Sequence, residues 1–241
     1  MFAQRVRNLL AEHAQEIALP KTCAGCGLAG EWVCDNCAWQ LIVDPQPGCL
    51  RCGRQGYRRQ QCGRCADLFP SPLRQVRAGF RYEGPMRRAI QRFKYNGEYQ
   101  RGYDLGQRLA ASVVRDRLLP VTRIDAIVPV PLHRRRFRSR GFNQSDILAR
   151  CVSSELQIPV VYPVQRLRNT TPQVGLRSDQ RLENLEDAFG IDVDEHPDLS
   201  GARMLIVDDV MTTGATISAV ASTLANAGSG DLFGLTLARE H

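Results

Sequence analysis

The segment Met204–Ile217, MLIVDDVMTTGATI, is the feature that most constrains the fold of this 241-residue chain. Four apolar residues predict a short buried strand, two adjacent acids follow, and a loop of small residues leads into a stretch with helical spacing. A loop between a strand and a helix directs backbone N–H groups and the positive helix end towards a phosphate. Asp208 and Asp209 are expected where open α/β sheets bind their ligands. The segment therefore predicts a sugar-phosphate site, although a helix-capping loop with solvent-facing acids would look similar.

Segments with strand and helix patterns alternate along the rest of the chain. The predicted strands cover residues 76–82, 124–130, 160–164, 199–207 and 232–237, and the predicted helices cover 85–93, 103–114 and 145–156. This alternation indicates an α/β fold with a mostly parallel sheet flanked by helices. The polar segment Arg166–Arg181 has no periodic apolar face, so we expect it to form a mobile loop.

Five arginines follow the predicted strand 124–130, in the segment HRRRFRSR (residues 133–140). A run of arginines is often only a solvated surface. Here it comes directly after the carboxyl end of a strand, where anions bind in such sheets, and guanidinium groups suit bidentate contacts with phosphate. A contact with pyrophosphate or another anionic substrate is therefore the favoured interpretation, and the solvated surface is the alternative.

Eight of the nine cysteines form four C-x-x-C pairs. The pairs are Cys23/Cys26, Cys34/Cys37, Cys49/Cys52 and Cys62/Cys65, with 7, 11 and 9 residues between them. Two such turns supply the four thiolates of a tetrahedral zinc site. The sequence therefore predicts about two structural zinc ions, because a redox dithiol would explain one pair but not four.

The arrangement of the four pairs leaves alternatives open. Sequential pairing, first with second and third with fourth, requires only two short hairpins and is favoured over a cross-braced arrangement. An iron–sulfur cluster could also use four cysteines. Cys151 lies alone in a helical pattern and is interpreted as a small core residue.

Composition is that of an ordinary globular protein, with 43% hydrophobic and 24% charged residues and a formal net charge of +7. We expect an N-terminal helix over residues 1–22, a double zinc ribbon over 23–68 and an α/β domain over 73–241. No run of 18 apolar residues occurs, so no membrane span is expected. The cysteine pattern and the absence of a signal-peptide-like apolar core indicate the cytoplasm.

Four features together resemble the ComF family, including its GntX-like members. They are the C-x-x-C pairs, VPVPLHRRRFRSRGFNQSDILA (128–149), RLRNTTPQVGLRSDQRLENLEDAF (166–189) and MLIVDDVMTTGATI (204–217). The last segment is similar to the 5-phosphoribosyl 1-pyrophosphate (PRPP) signature of type I phosphoribosyltransferases. The resemblance runs from about Cys23 to the C-terminus and implies a type I phosphoribosyltransferase fold preceded by a small zinc-ribbon region.

The resemblance also implies roles for individual residues. Asp208 and Asp209 would contact the ribose hydroxyls, and Arg168 or Arg181 would close over the leaving group during catalysis. The 5-phosphate loop would consist of Thr212, Thr213, Gly214, Ala215 and Thr216, and the pyrophosphate loop of Pro131, Leu132 and His133. Segment 82–94 would contribute to a hood over the acceptor, and Mg²⁺ would bind together with PRPP.

These features imply a phosphoribosyltransferase, a pentosyl-transferring glycosyltransferase, with an unknown acceptor and a link to competence, DNA uptake or DNA utilization. The alternative is a non-catalytic protein that senses PRPP or binds single-stranded DNA. The phosphoribosyl part also resembles amidophosphoribosyltransferases. Because Met1-Phe2-Ala3 contains no N-terminal cysteine nucleophile, glutamine-dependent amination is not expected.

A further prediction concerns Arg51–Lys94, which contains twelve Arg or Lys against two acids, a net charge of +10. Interleaved aromatic residues could stack on bases. They are Tyr57, Phe69, Phe80, Tyr82 and Phe93. We therefore expect this surface, with the ribbon, to bind single-stranded nucleic acid weakly and without sequence preference, or else to act only as a structural lid.

Overall fold

The computed structural model describes residues 21–39, 49, 51–53, 62–63, 65, 71–95, 99–115, 119–168, 188–192 and 198–240. Several sequence predictions lie outside these residues. They are the N-terminal helix up to residue 20, Arg181, residues 169–181 of the expected mobile loop, and residues 66–70 before the α/β domain. The three domain limits therefore stay predictions.

A four-stranded parallel sheet forms the centre of the α/β part. Its strands are β1 (Leu73–Arg81), β2 (Ala126–Pro129), β5 (Met204–Met211) and β6 (Leu232–Arg239), in the order β1-β6-β5-β2. Each neighbouring pair is parallel. β6 is buried along its whole length, as expected for a parallel strand that is covered on both faces. The predicted α/β fold with a mostly parallel sheet is thus confirmed.

Helices and a small hairpin complete the described structure. The helices are α1 (Asp35–Trp39), α2 (Gly84–Tyr95), α3 (Tyr99–Arg115), α4 (Arg134–Arg140), α5 (Gln144–Leu156) and α6 (Ala215–Asn226), with a 3-10 turn at Val121–Arg123. The hairpin pairs β3 (Val164–Arg166) with β4 (Phe189–Ile191) in antiparallel orientation. Arg166, which the sequence placed in a mobile loop, is therefore the last residue of a strand.

Each face of the sheet has its own hydrophobic core. Leu205 and Val207 of β5 pack with residues of α2, α3 and α5. Met204 and Ile206 pack with residues of α6 and of the β3–β4 hairpin. Alternate residues of a strand point to opposite faces, so the apolar run of β5 contributes to both cores. Helices thus cover both faces and leave the carboxyl edge of the sheet for polar residues.

Helix α4 was not predicted, because its sequence RRRFRSR has the pattern of a charged surface. Its first turn is capped by His133, whose Nδ1 accepts a hydrogen bond from the Arg135 backbone N–H at 3.2 Å. It ends at Gly141, which has φ of 85°, a left-handed conformation that glycine adopts without strain. The two ends of the helix are therefore set by local capping rather than by an apolar stripe.

Two strands differ from their predicted positions. β5 continues through both acids to Met211, whereas the sequence placed the acids after the strand. The strand predicted at 160–164 begins only at Val164, and Val160 makes a single bridge with Ile127. Pro159 and Pro163 flank this stretch and lack the N–H that a continuous ladder requires.

Among the described residues, no helix combines the length and the apolar character that crossing a bilayer requires.

The cysteine-rich region packs directly on the α/β part. Near its first two cysteine pairs, Arg88 of α2 donates to the Ala24 carbonyl and Arg101 of α3 donates to the Trp32 carbonyl at 3.2 Å. The Arg101 guanidinium also lies 4.1 Å from the centre of the Trp32 ring. Cysteines of these two pairs belong to the same apolar cluster as the α2 and α3 residues. The first half of the ribbon region is therefore part of the main core.

Candidate functional site

The two adjacent acids lie at the carboxyl end of β5 and bind different partners. Asp208 accepts hydrogen bonds from the Ser145 hydroxyl at 2.9 Å and from the Asp209 backbone N–H at 2.8 Å. Asp209 accepts from the Lys94 ammonium at 2.8 Å. Ser145 is in the first turn of α5 and Lys94 in the last turn of α2. The acid pair is therefore held between two helices that the sequence separates widely.

The Lys94–Asp209 pair is largely shielded from water, since the side chains are 19% and 13% exposed. Burial alone would lower the pKa of Lys94, but the charge and hydrogen bond of Asp209 outweigh it and raise that pKa. Lys94 is therefore a fixed cation beside the acids. The family resemblance placed it only generally in the hood segment 82–94, and a direct contact with an acid was not predicted.

Asp208 has a strongly perturbed proton affinity. Burial raises its pKa to about 7, and the negative charge of Asp209 adds to the increase. The hydrogen bonds from the Asp209 backbone N–H and the Ser145 hydroxyl and the charge of Lys94 act in the opposite direction. A carboxyl group whose pKa is raised in this way at the edge of a sheet is typical of a functional site.

The predicted phosphate loop connects these acids to helix α6. Gly214 directly precedes the helix and has φ of 86°, a conformation that favours glycine. The Thr213 hydroxyl accepts a hydrogen bond from the Ala215 backbone N–H at 3.3 Å. A pocket of about 20 Å³, enough for one water molecule, is lined by residues that include Asp208, Thr212, Gly214 and Thr216. The structure thus brings the predicted loop and the first acid to one place.

Thr236 of β6 also lines this pocket, and sequence reasoning missed it. It lies opposite Asp208 in the strand pairing and is fully buried. Within the described residues its hydroxyl has no hydrogen-bond partner. A buried hydroxyl without a partner is costly, which suggests that a water or ligand group completes it. Its only signal in the sequence is one polar residue inside the apolar strand LFGLTLAR.

Further cations surround the acids. Burial lowers the pKa of Arg140 and of Arg166, whereas Asp209 opposes this for Arg140 and Asp208 opposes it for Arg166. Both guanidinium groups therefore lie within electrostatic reach of the acid pair. Arg140 is the last residue of α4, and the contact of the arginine run with pyrophosphate or another anionic substrate stays a prediction.

The structure describes only some of the other residues that were predicted to contact phosphate. Pro131, Leu132 and His133 form the partly buried turn between β2 and α4, and His133 uses Nδ1 to cap that helix. Arg168 is exposed two residues after the end of β3. Arg181 lies outside the described residues. The contacts of these residues with a leaving group stay predictions.

The eight paired cysteines form two four-sulfur clusters. The first contains Cys23, Cys26, Cys34 and Cys37, and the second contains Cys49, Cys52, Cys62 and Cys65, with all sulfurs of a cluster within 4.8 Å of one another. Sequential pairing of the knuckles is therefore confirmed. The Sγ distances Cys26–Cys34 and Cys52–Cys62 are 3.7 and 3.8 Å. A zinc ion with Zn–S bonds of about 2.3 Å requires sulfurs about 3.8 Å apart, so each cluster fits structural zinc.

The two clusters share one hydrogen-bond pattern. In each, the first cysteine accepts from the backbone N–H of the third at 3.3 Å, namely Cys23 from Cys34 and Cys49 from Cys62. Burial raises the pKa of Cys23 and of Cys49, but such backbone hydrogen bonds outweigh it and lower both values to about 6. Thiolates at these positions are the species that bind a metal ion.

Part of the basic surface Arg51–Lys94 has internal partners. Arg51 donates to the Leu73 carbonyl at 3.3 Å, Arg77 donates to the Arg51 carbonyl at 3.2 Å, and Lys94 pairs with Asp209. Phe80 and Phe93 are buried, so they cannot stack on bases as predicted. The remaining residues of that prediction include several outside the described part, namely Arg54, Tyr57, Arg58, Arg59, Arg64 and Phe69. The charge available to a nucleic acid is therefore smaller than the sequence count.

Comparison with known proteins finds a matching domain family, related proteins and similar solved structures. A phosphoribosyl transferase domain matches residues 140–231. Competence protein F of Haemophilus influenzae is 35% identical over 205 residues, which cover 83% of this chain and 87% of that protein. DNA utilization protein YhgH of Escherichia coli K12 is 31% identical over 220 residues, covering 88% and 94%. A purine phosphoribosyltransferase from Pyrococcus horikoshii shares 20% identity over 58% of this chain and 72% of its own, with a TM-score of only 0.34.

Proposed function

The chain belongs to the ComF family, that of competence protein F, and on this basis we propose that it binds PRPP together with Mg²⁺ and transfers the phosphoribosyl group to an acceptor nucleophile. The observation that carries the proposal is the meeting of two carboxylates and a glycine-containing loop at the carboxyl end of β5. Ribose hydroxyls can donate to Asp208 and Asp209, while backbone N–H groups at the start of α6 bind the 5-phosphate.

The contacts of the acids support this assignment. Ser145 and Lys94 each hold one carboxylate, so neither acid has to be reoriented before a sugar arrives. Such pre-organisation lowers the cost of binding. The Thr236 hydroxyl, buried beside Asp208, supplies a further polar group that a bound water or ligand oxygen can complete.

Catalysis requires stabilisation of a pyrophosphate leaving group and of an electron-poor ribose ring. Mg²⁺, held by the pyrophosphate and ribose oxygens of PRPP, would neutralise charge on the leaving group. The turn at residues 131–133 lies at the carboxyl end of β2, in a suitable place for pyrophosphate. Arg168 or Arg181 would close over it, and closure would exclude water and so limit hydrolysis.

The zinc sites and the location of the protein belong to the same proposal. We propose that each four-cysteine cluster binds one zinc ion with a structural role, because four thiolates leave no open coordination position for chemistry. Reduced cysteines of this kind agree with the cytoplasm as the compartment. The ribbon would then serve as a support for α2, the helix that carries Lys94.

The names of the relatives favour a link to DNA. Relatives are called competence protein F and DNA utilization protein. A second candidate function is therefore that of a non-catalytic protein, which senses PRPP or binds single-stranded DNA through the basic surface Arg51–Lys94. Its specific test is the triple variant Arg54→Glu, Arg58→Glu and Arg59→Glu, which should weaken single-strand binding without changing PRPP affinity.

Pyrophosphate release separates the two functions. The full-length protein is incubated with PRPP and Mg²⁺ and with single candidate bases or amines, without and with single-stranded DNA. A transferase releases pyrophosphate that depends on one acceptor and is lost in Asp209→Asn. Asp125→Asn is the matched control. Asp125 pairs with Arg203 at the amino ends of β2 and β5, whereas Asp209 lies at the carboxyl end of β5. PRPP binding without acceptor-dependent release across the panel would favour the non-catalytic function.

A further inference from the structure

A second cavity opens between the start of α3 and the turn that joins α4 to α5. Its volume is about 590 Å³, within the usual range of small-molecule sites. Four of its ten lining residues are aromatic, and two arginines line it against one acid. The residues that matter here are Tyr99, Tyr103, Phe137, Arg140, Phe142 and Asp146.

Aromatic side chains form two walls of this cleft. Tyr99 and Tyr103 are four positions apart on α3 and so lie on one side of that helix. Phe137 and Phe142 approach from α4 and the following turn. The Phe142 ring stacks on the buried Phe93 with centroids 5.3 Å apart, which fixes its position. Tyr103 and Phe137 are 41% and 48% exposed, so their rings are accessible to a ligand.

The charge of the cleft favours an anion. Its only lining acid among the described residues, Asp146, is already bound by Arg150 at 3.1 Å and by the Tyr162 hydroxyl at 2.7 Å. Arg140, by contrast, lies over the Tyr95 ring at 5.5 Å and belongs to a helix with five arginines and no acid. Guanidinium groups in this setting suit a phosphate group and can also stack on a planar ring.

The cleft is located where ligands bind in sheets of this type. The Asn143 side chain, which forms part of the lining, donates to the Val130 carbonyl at 3.0 Å and so attaches the turn to the carboxyl end of β2. Arg140 lies within electrostatic reach of Asp209. The cleft therefore opens at the same edge of the sheet as the acid pair.

We propose that this cleft binds a mononucleotide, with the base between the aromatic walls and the phosphate on Arg140. Flat aromatic faces and guanidinium groups are the usual surroundings of a stacked base. An uncharged aromatic peptide segment would use the rings but would place no anionic group on the Arg140 guanidinium. The site is separate from the proposed PRPP site and does not depend on turnover.

Calorimetric titration of the full-length, zinc-loaded protein tests the proposal with three probes: AMP, adenosine and ribose 5-phosphate. AMP should bind more tightly than either of the other two, because only AMP has both the base and the phosphate. Phe137→Ala and Tyr103→Leu should each weaken AMP binding at least about fivefold through the loss of stacking, whereas Tyr103→Phe should bind like the wild type.

Trp39→Ala is the matched aromatic control. Trp39 is exposed and lies near Arg115 at the far end of α3, about 24 Å along the helix from Tyr99. The titrations are repeated with excess PRPP and Mg²⁺, because AMP could also occupy the phosphate loop. Full competition by PRPP, or AMP affinity that is unchanged in Phe137→Ala and Tyr103→Leu, would overturn the proposal. Equal affinities for AMP and adenosine would do the same, because the phosphate would then contribute nothing.

Discussion

The cysteine clusters and the carboxyl edge of the sheet both gather polar side chains from distant parts of the chain, but in opposite ways. In each cluster, all four sulfurs face one another at distances that one metal ion would fill. At the sheet edge, burial raises the pKa of Asp208 to about 7, and the Thr236 hydroxyl has no partner within the described residues. The first arrangement is closed and suits a structural metal site, whereas the second is open and suits a ligand that binds reversibly.

The largest loss of stability should follow from removing one cysteine ligand of the first four-sulfur cluster. Cys34→Ser should reduce the zinc content from about two ions to one and lower the free energy of unfolding by several kcal/mol, because metal binding supplies much of the folding energy of such sites. Cys34 belongs to the apolar cluster of α2 and α3, so these helices should lose protection from hydrogen exchange.

Cys62→Ser tests whether the two clusters differ in this respect. The second cluster forms an apolar group of its four cysteines alone, so its loss should leave α2 and α3 largely protected. Cys151→Ser is the control, since Cys151 belongs to neither cluster. Elemental analysis that finds iron, or no metal in protein purified without chelators, would contradict the account of both sites.

A smaller loss is expected from separating the buried ion pair at the open site. Lys94→Met leaves the charge of Asp209 without its partner and should cost on the order of 3 kcal/mol of unfolding free energy. The double variant Lys94→Met, Asp209→Asn should lose less than the sum of the single variants, because the unpaired charge is removed. Denaturant unfolding of the four proteins measures this coupling. Strict additivity would mean that the pair does not stabilise the fold.

Loss of the proposed contact between Asp209 and ribose should weaken PRPP binding by about one to two orders of magnitude. Asp209→Asn should weaken PRPP binding by on the order of 1–3 kcal/mol, the contribution of one charged hydrogen bond, while the fold is kept. Asp125→Asn, at the opposite end of the sheet, should bind PRPP like the wild type. Equal affinities of all three proteins in calorimetry would remove Asp209 from the site.

Local patterns predicted most of the fold. The apolar run 204–207 and the Gly214 loop indicated a strand, a turn and a helix, and α3 and α5 lie close to their predicted limits. Helix α4 was missed because capping by His133 and Gly141, rather than an apolar stripe, defines it. β3 was displaced because prolines interrupt the ladder before Val164. Local rules succeed where burial follows a period and fail where capping or proline decides.

The candidate site was predicted in part for a related reason. The acids and the phosphate loop are adjacent in the sequence and form one motif. Ser145 and Lys94 reach the same acids from positions 63 and 115 residues away, and no local pattern reveals such contacts. Thr236 is visible only through the pairing of β6 with β5. The contacts that tune the acids arise from the order of the strands and from helix packing, which only the folded structure shows.

Calorimetric titration of the unmodified protein with PRPP and Mg²⁺ at pH 8 and pH 6 tests the central claim most directly. Burial and the charge of Asp209 raise the pKa of Asp208 to about 7, and its ionised form is the one that accepts ribose hydroxyls. Affinity should therefore increase as the pH rises through 7 and be about tenfold higher at pH 8 than at pH 6. Asp208→Asn corrects for the titration of PRPP itself and should remove most of this difference. No binding at either pH, or the same pH dependence in Asp208→Asn, would contradict a PRPP site at the paired acids.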